Sequence, residues 1–201
     1  MLEPQYEKIH GVNKQMNKFK KLLWVIGPAG SGKTTISKQI ASIVGVEFIS
    51  SGDIVRSLAD AHKDLANGDL YYNDDAIMGV INDRINTTSS QIIIVDGVPR
   101  TSGQVRWINE NMSKYLWSVV YIDAPTIKRI KRLIKRGRDD YDSHDIILKR
   151  VSKDEDNMKY IANMCLEVLA PSKIRFIDSI IDGDTSLEVD RLLTLLSTME
   201  G

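Results

Sequence analysis

Cysteine is almost missing from this chain: Cys165 is the only one among 201 residues. An intrachain disulfide is therefore impossible, as is a zinc cluster built from several cysteines, and a reducing, cytoplasmic setting is expected. No apolar run approaches the ~20 residues that carry a helix across a bilayer, so no membrane partner is expected. Charge of one sign is lacking too. The 27 Lys and Arg balance 27 Asp and Glu, which removes any general attraction to nucleic acid and makes a basic patch a local matter. The three histidines, His10, His62 and His144, show no ligand spacing and read as surface or local hydrogen-bonding residues. Residues 1–21 have neither the apolar stretch of a signal peptide nor the arginine enrichment of a transit peptide. They read as a polar leader before one domain, 22–201. Internal repeats and low-complexity segments are absent.

What is present suffices for a core. Apolar residues make up 42% and charged residues 27%, as in an ordinary globular domain of this length. Short apolar runs predict strands at 22–26, 47–49, 92–95, 119–122 and 174–177. Longer periodic stretches predict helices at 34–44, 75–86, 104–113, 126–136, 146–169 and 187–197. The run Ile92-Ile93-Ile94-Val95 is the pattern of a strand buried on both faces. Strands alternating with helices predict a parallel, five-stranded sheet in a three-layer α/β/α fold. Ligands of such sheets bind at the carboxyl ends of the strands.

The first strand runs straight into Gly27-Pro28-Ala29-Gly30-Ser31-Gly32-Lys33-Thr34, which fits G-x-x-x-x-G-K-[ST] and opens a helical pattern. The backbone of Gly27, Ala29, Gly30, Ser31 and Gly32 is expected to wrap phosphate oxygens, with the helix dipole behind it. Lys33 would reach the β- and γ-phosphates, and the Thr34 hydroxyl would ligate Mg²⁺, with Thr35 in the same cradle. A chance glycine turn is the alternative, and the strand–loop–helix context disfavours it. The motif predicts nucleoside triphosphate binding without naming a reaction.

Two further segments follow strands: Ser50-Ser51-Gly52-Asp53-Ile54-Val55-Arg56, and Asp96-Gly97-Val98-Pro99-Arg100-Thr101-Ser102-Gly103-Gln104. Both read as loops. Together with the phosphate-binding loop they resemble the adenylate kinase family, whose members carry S-[ST]-G-D-[LM]-[LV]-R and D-G-[FY]-P-R-T-x-x-Q at these places. The resemblance runs over most of the chain from Leu22 onward. It implies a phosphotransferase that moves the γ-phosphate of Mg·ATP to a nucleoside monophosphate, working as a monomer. The acceptor would lie against an insertion at about 51–86, contacting Ser51, Gly52, Arg56, Leu70, Gly97, Arg100 and Gln104.

The chemistry of these residues suits that role. Arg56 and Arg100, from different loops, could clamp one phosphate with forked bonds. Asp96 could orient the water shell of Mg²⁺. The Gln104 amide could pair with an adenine edge through its donor and acceptor. Taken singly, Arg56 reads as a surface residue, Gln104 as solvent-exposed and Asp96 as a helix cap; their places within the motifs favour the functional readings.

After the fourth strand, Asp123-Ala124-Pro125 precedes a basic stretch in which Ile127, Ile130, Leu133 and Ile134 recur at helical spacing and should face the core. The resemblance assigns Arg132 to stacking on the ATP adenine, and Arg136, four residues on, to the transferred phosphates. Lys128, Arg129, Lys131 and Lys135 have no such match and read as solvated. Arg138 and Arg150 match the arginines that stabilise transferring charge when a lid closes, here a short lid at about 136–143 without a zinc site. Lys33 and Arg100 complete the implied catalytic set. Asp182-Gly183 resembles the loop whose backbone lies near the ATP adenine. Cys165, in an apolar helical pattern, reads as a buried, inert thiol.

Departures from the family pattern concern the acceptor base. The segment after Arg56 is shorter by roughly two helical turns, Tyr71 follows Leu70 where a small aliphatic residue is usual, and Val98 replaces an aromatic residue. Ser51 and Thr101 favour AMP, because UMP/CMP kinases tend to have Ala and Asn there. A UMP/CMP or deoxynucleotide kinase is the alternative, followed by a non-catalytic ATP-binding module.

Overall fold

The computed structural model describes residues 19–61, 73–136, 144–179 and 184–199. Five strands form one parallel sheet: β1 (Lys21–Ile26), β2 (Glu47–Ser50), β3 (Ile92–Asp96), β4 (Leu116–Asp123) and β5 (Ile174–Asp178), in the order β2-β3-β1-β4-β5. Seven helices are described: α1 (Lys33–Val44), α2 (Ser51–Ala61), α3 (Asp74–Thr87), α4 (Ser102–Asn111), α5 (Thr126–Arg136), α6 (His144–Val168) and α7 (Ser186–Thr198). The α/β three-layer architecture expected from the sequence is the one observed.

Alternation along β1 divides the core. Leu22, Trp24 and Ile26 face a cluster that takes in Ile77 and Ile81 of α3, Val105 and Ile108 of α4, and Ile161 and Cys165 of α6. Leu23 and Val25 face the opposite cluster, with Ile36 and Ile40 of α1 and Leu192 and Leu196 of α7. Each β1 residue is buried, so the strand is apolar on both faces as a central parallel strand must be. Burial pushes the Cys165 thiol up to about 12, which keeps it protonated and inert at neutral pH.

Three expectations are corrected. The segment after β2, read as a loop, enters α2 at once, with the Ser50 hydroxyl capping the Asp53 N–H at 3.3 Å. The first strand begins one residue earlier than expected: Lys21 belongs to β1, is buried, and donates to the Leu196 carbonyl at 2.8 Å. Along α5, Leu133 is buried as expected, but Ile127 and Ile134 are exposed, and Arg129 is buried. The apolar and basic stripes interleave there, and an arginine with hydrogen-bond partners took the inner position.

Sheet order places the chemistry. The chain runs outward to β2 and β3 on one side of β1, then crosses to β4 and β5 on the other. Asp96, the last residue of β3, is level with Val25 of β1 and Ser50 of β2. The loops leaving β1 and β3 and the start of α2 therefore converge at one end of the sheet.

Candidate active site

Sterics shape the loop between β1 and α1. Gly27 and Gly30 adopt φ of 147° and 79°, a region glycine enters without a Cβ penalty. A Cβ on Gly30 would also come 2.6 Å from the Arg129 carbonyl oxygen. Lys33 is buried at the start of α1 and its Nζ donates to the Pro28 carbonyl at 3.3 Å, so the ammonium curls back over the loop. A cavity of about 450 Å³ opens here, with Gly32, Lys33, Thr34, Thr35, Arg132 and Ser179 in its wall. That volume lies within the range of small-molecule sites.

Thr34 and Asp96 meet where β1 and β3 end. The Thr34 hydroxyl donates to Asp96 Oδ2 at 2.6 Å. The other oxygen, Oδ1, is buried and accepts no hydrogen bond from the described residues. A buried carboxylate oxygen left unsatisfied needs an explanation. Hydroxyl and carboxylate oxygens are the hard ligands that Mg²⁺ prefers, directly or through its water shell.

Beyond β3, Gly97 and Pro99 turn the chain into Arg100. The Val98–Pro99 peptide is cis. Arg100 Nε donates to the Gly97 carbonyl at 3.0 Å, and Asn157 of α6 donates to the Arg100 carbonyl at 3.1 Å. Gln104 is 1% exposed, and its side-chain carbonyl accepts from the Arg100 N–H at 2.7 Å. The Thr101 hydroxyl accepts from the Gln104 N–H at 3.1 Å and donates to the Asp74 carboxylate, with oxygens 2.8 and 2.7 Å away. Arg56 of α2 pairs with Asp53 one turn away, both more than half exposed. Such a pair holds weakly, so the guanidinium is available to a stronger anion. Ser51 is buried beneath the Gly97 turn.

Helix α5 lies against the loop after β1. Arg132 donates to the Gly30 and Ser31 carbonyls at 3.3 and 3.1 Å and reaches the Ser179 carbonyl at 3.5 Å. Arg129 is anchored by Ala124 O at 3.0 Å, by Thr126 Oγ1 at 3.0 Å and by Glu155.

Lys33, Thr34, Thr35 and Arg132 thus share one cavity, Asp96 joins it through Thr34, and Arg100 joins the phosphate loop through Asp154, while Ser51, Gly52, Arg56 and Gln104 lie around the Gly97 turn and the start of α2. Leu70, Arg138 and Gly183 lie outside the described residues, as do the side chains of Arg136 and Arg150 and most of the expected lid. Asp154 of α6 was missed by sequence reasoning. Its carboxylate accepts from the Ala29 N–H of the phosphate loop and lies 3.4 Å from Arg100. Only an Asp154-Glu155-Asp156 run marks it in the sequence, and such runs read as solvated helix faces.

A parallel sheet with a glycine-rich loop at its switch point, a lysine and threonine at the following helix start, and a carboxylate on the neighbouring strand defines the P-loop class of nucleotide-binding proteins. Residues 26–147 match a family model described as an AAA domain. The chain is 31% identical over 142 residues to an adenylate kinase of Prochlorococcus marinus (strain MIT 9515), covering 66% of this chain and 77% of that protein. It is 34% identical over 147 residues to an adenylate kinase of Leptospira biflexa, covering 65% and 78%. Against an adenylate kinase of Kosmotoga olearia it is 32% identical over 123 residues and spans 57% of that protein's length. The chain belongs to the adenylate kinase family.

Among the described residues no helix is long and apolar enough to cross a membrane.

Proposed function

We propose that this protein transfers the γ-phosphate of Mg·ATP to a nucleoside monophosphate, with AMP the preferred acceptor. The observation that carries this reading is the convergence of a phosphate cradle and an acceptor arginine on one sheet end, with the Thr34–Asp96 pair between the strands. The unit that does this is 22–201, with the acceptor insertion at about 51–86 and the short lid at about 136–143.

In the proposed reaction the triphosphate lies along Gly27–Thr35, with Lys33 neutralising the β- and γ-phosphates. Thr34 would hold Mg²⁺ directly and Asp96 through water; the unsatisfied Asp96 Oδ1 fits that water shell. The metal would supply charge neutralisation on the phosphates. Arg56 and Arg100 would hold the acceptor phosphate in line, and the family resemblance assigns Arg136, Arg138 and Arg150 to the charge of the transferring group. The acceptor oxygen is already a nucleophile, so positioning, charge neutralisation and exclusion of water carry the catalysis. The family resemblance assigns Arg132 and the backbone at Gly183 to the donor base, and Leu70, Ser51, Gly52 and Gly97 to the acceptor.

The Gln104 contact limits what its amide can offer a base. Its amide oxygen is engaged by Arg100 N–H, which leaves the NH₂ end to donate. That NH₂ can donate to an adenine ring nitrogen, but carbonyl oxygens of uracil and guanine accept from it equally well, so the preference for AMP is carried by Ser51, Thr101 and the family resemblance. Incubation with ATP, Mg²⁺ and each monophosphate in turn tests the reading. AMP should be converted to ADP fastest; conversion of none of them rejects the kinase assignment.

A further inference from the structure

The strongest unexplained feature of the cleft is the carboxylate of Asp154, whose side chain is 14% exposed. One oxygen, Oδ2, accepts from the Ala29 N–H, an amide of the loop that cradles the donor phosphates. The other, Oδ1, lies 3.4 Å from Nη1 of Arg100, which faces the acceptor phosphate in the proposed reaction. The residue belongs to α6, and one turn later Asn157 donates to the Arg100 carbonyl at 3.1 Å. The helix therefore holds the arginine's backbone while its carboxylate spans from the donor cradle to the acceptor clamp.

A planar anion with one oxygen on a phosphate-loop amide and the other toward an acceptor arginine uses two of the donors that a transferring phosphoryl group needs. It also carries the same sign of charge as that group. Substrate phosphates and the Asp154 carboxylate cannot share these partners, because like charges at such separations repel strongly in a partly buried cleft. We propose that Asp154 is an internal anion that competes with substrate phosphates for the Ala29 amide and Arg100, and so determines how readily phosphate enters the transfer site.

This inference rests on the phosphate-binding role of the two loops given above. It assigns the carboxylate a cost in substrate affinity: where a fraction of molecules holds the bridged state, apparent affinity falls by the fraction left open. It also gives Arg100 a partner before substrate arrives, so the charged side chain is held near its working place.

The test titrates wild type, Asp154→Asn and Asp154→Ala with inorganic tripolyphosphate and, separately, with adenosine, by calorimetry. Asp154→Ala should bind tripolyphosphate about tenfold more tightly than wild type, as expected if roughly nine molecules in ten hold the bridge. Asp154→Asn, close in shape and uncharged, should show a smaller rise in the same direction. Adenosine, which has no phosphate, should bind all three proteins alike.

Loss of a merely structural contact would weaken tripolyphosphate binding. Unchanged or weaker binding in both variants overturns the proposal, and so does an equal gain for adenosine or no measurable tripolyphosphate binding to any of the three. Neither probe accepts a phosphate, so the result does not depend on the acceptor assignment. A tenfold gain beside a protein that phosphorylates no monophosphate would retain the competing anion and reject the kinase reading.

Discussion

The side-chain carbonyl of Gln104 accepts a hydrogen bond from the backbone N–H of Arg100 at 2.7 Å. One amide therefore supports the acceptor loop with its oxygen and is proposed to read the base with its nitrogen. Gln104→Glu separates the two tasks, since a carboxylate oxygen still accepts from Arg100 but nothing remains to donate. An unpaired polar contact costs about 1–3 kcal/mol. We expect kcat/KM for AMP to fall by about one to two orders of magnitude, with little change for UMP. Equal losses for every acceptor in initial-rate assays would assign Gln104 to loop support alone.

Thr34→Val removes the hydroxyl that bonds Asp96 at 2.6 Å. Both Asp96 oxygens would then be unsatisfied, and one proposed Mg²⁺ ligand would be gone. Turnover should drop by at least about a hundredfold, and the Mg²⁺ concentration for half-maximal rate should rise. A metal titration that matches wild type would remove Thr34 from the metal site.

Lys33→Met deletes the cation that curls over the phosphate loop. Loss of one preorganised charge at transferring phosphate is worth about two orders of magnitude or more in turnover. Far-ultraviolet circular dichroism should stay as in wild type. Near-normal turnover in a folded variant would contradict the catalytic role.

Arg129→Met tests the buried guanidinium. The arginine's partners at Ala124, Thr126 and Glu155 would lose their donor, and we expect a destabilisation of about 2–3 kcal/mol by urea denaturation. The pH dependence has a definite sign. Lys159 first, and then Arg129, hold the Glu155 carboxyl below the usual carboxylate range. A depressed folded value gives stability that is complete above the unfolded value of about 4.3 and is lost as pH falls through the lower, folded one. The gap between wild type and variant should therefore narrow from pH 5 to pH 3. A gap that stays constant over this window would assign the effect to packing.

The five strands and six of the helices were legible because period and punctuation are local properties. Ile92 to Val95 needs no neighbour to read as a doubly buried strand, and Gly27 to Thr34 names its own turn. The helix Ser51–Ala61 was missed because Ser50-Ser51-Gly52 opens with poor helix formers, although the serine cap and Asp53 in the first turn mark its start. Arg129 reads as solvated in the sequence because a basic run does not say which member turns inward.

The sequence by itself determined that a phosphate loop follows the first strand, that Asp96 ends the third, and that Arg100 lies four residues beyond it. These follow from chain-local patterns whose chemistry is written in the residues concerned. Only the tertiary structure decided that Asp96 keeps one oxygen for Thr34 and leaves the other unsatisfied, that Gln104 turns its oxygen to Arg100, and that Asp154 spans from the phosphate loop to that same arginine. Residues 29, 100 and 154 meet because β3 lies beside β1 and α6 packs across the sheet end. No local pattern encodes that meeting; which polar groups satisfy one another is settled when the layers close.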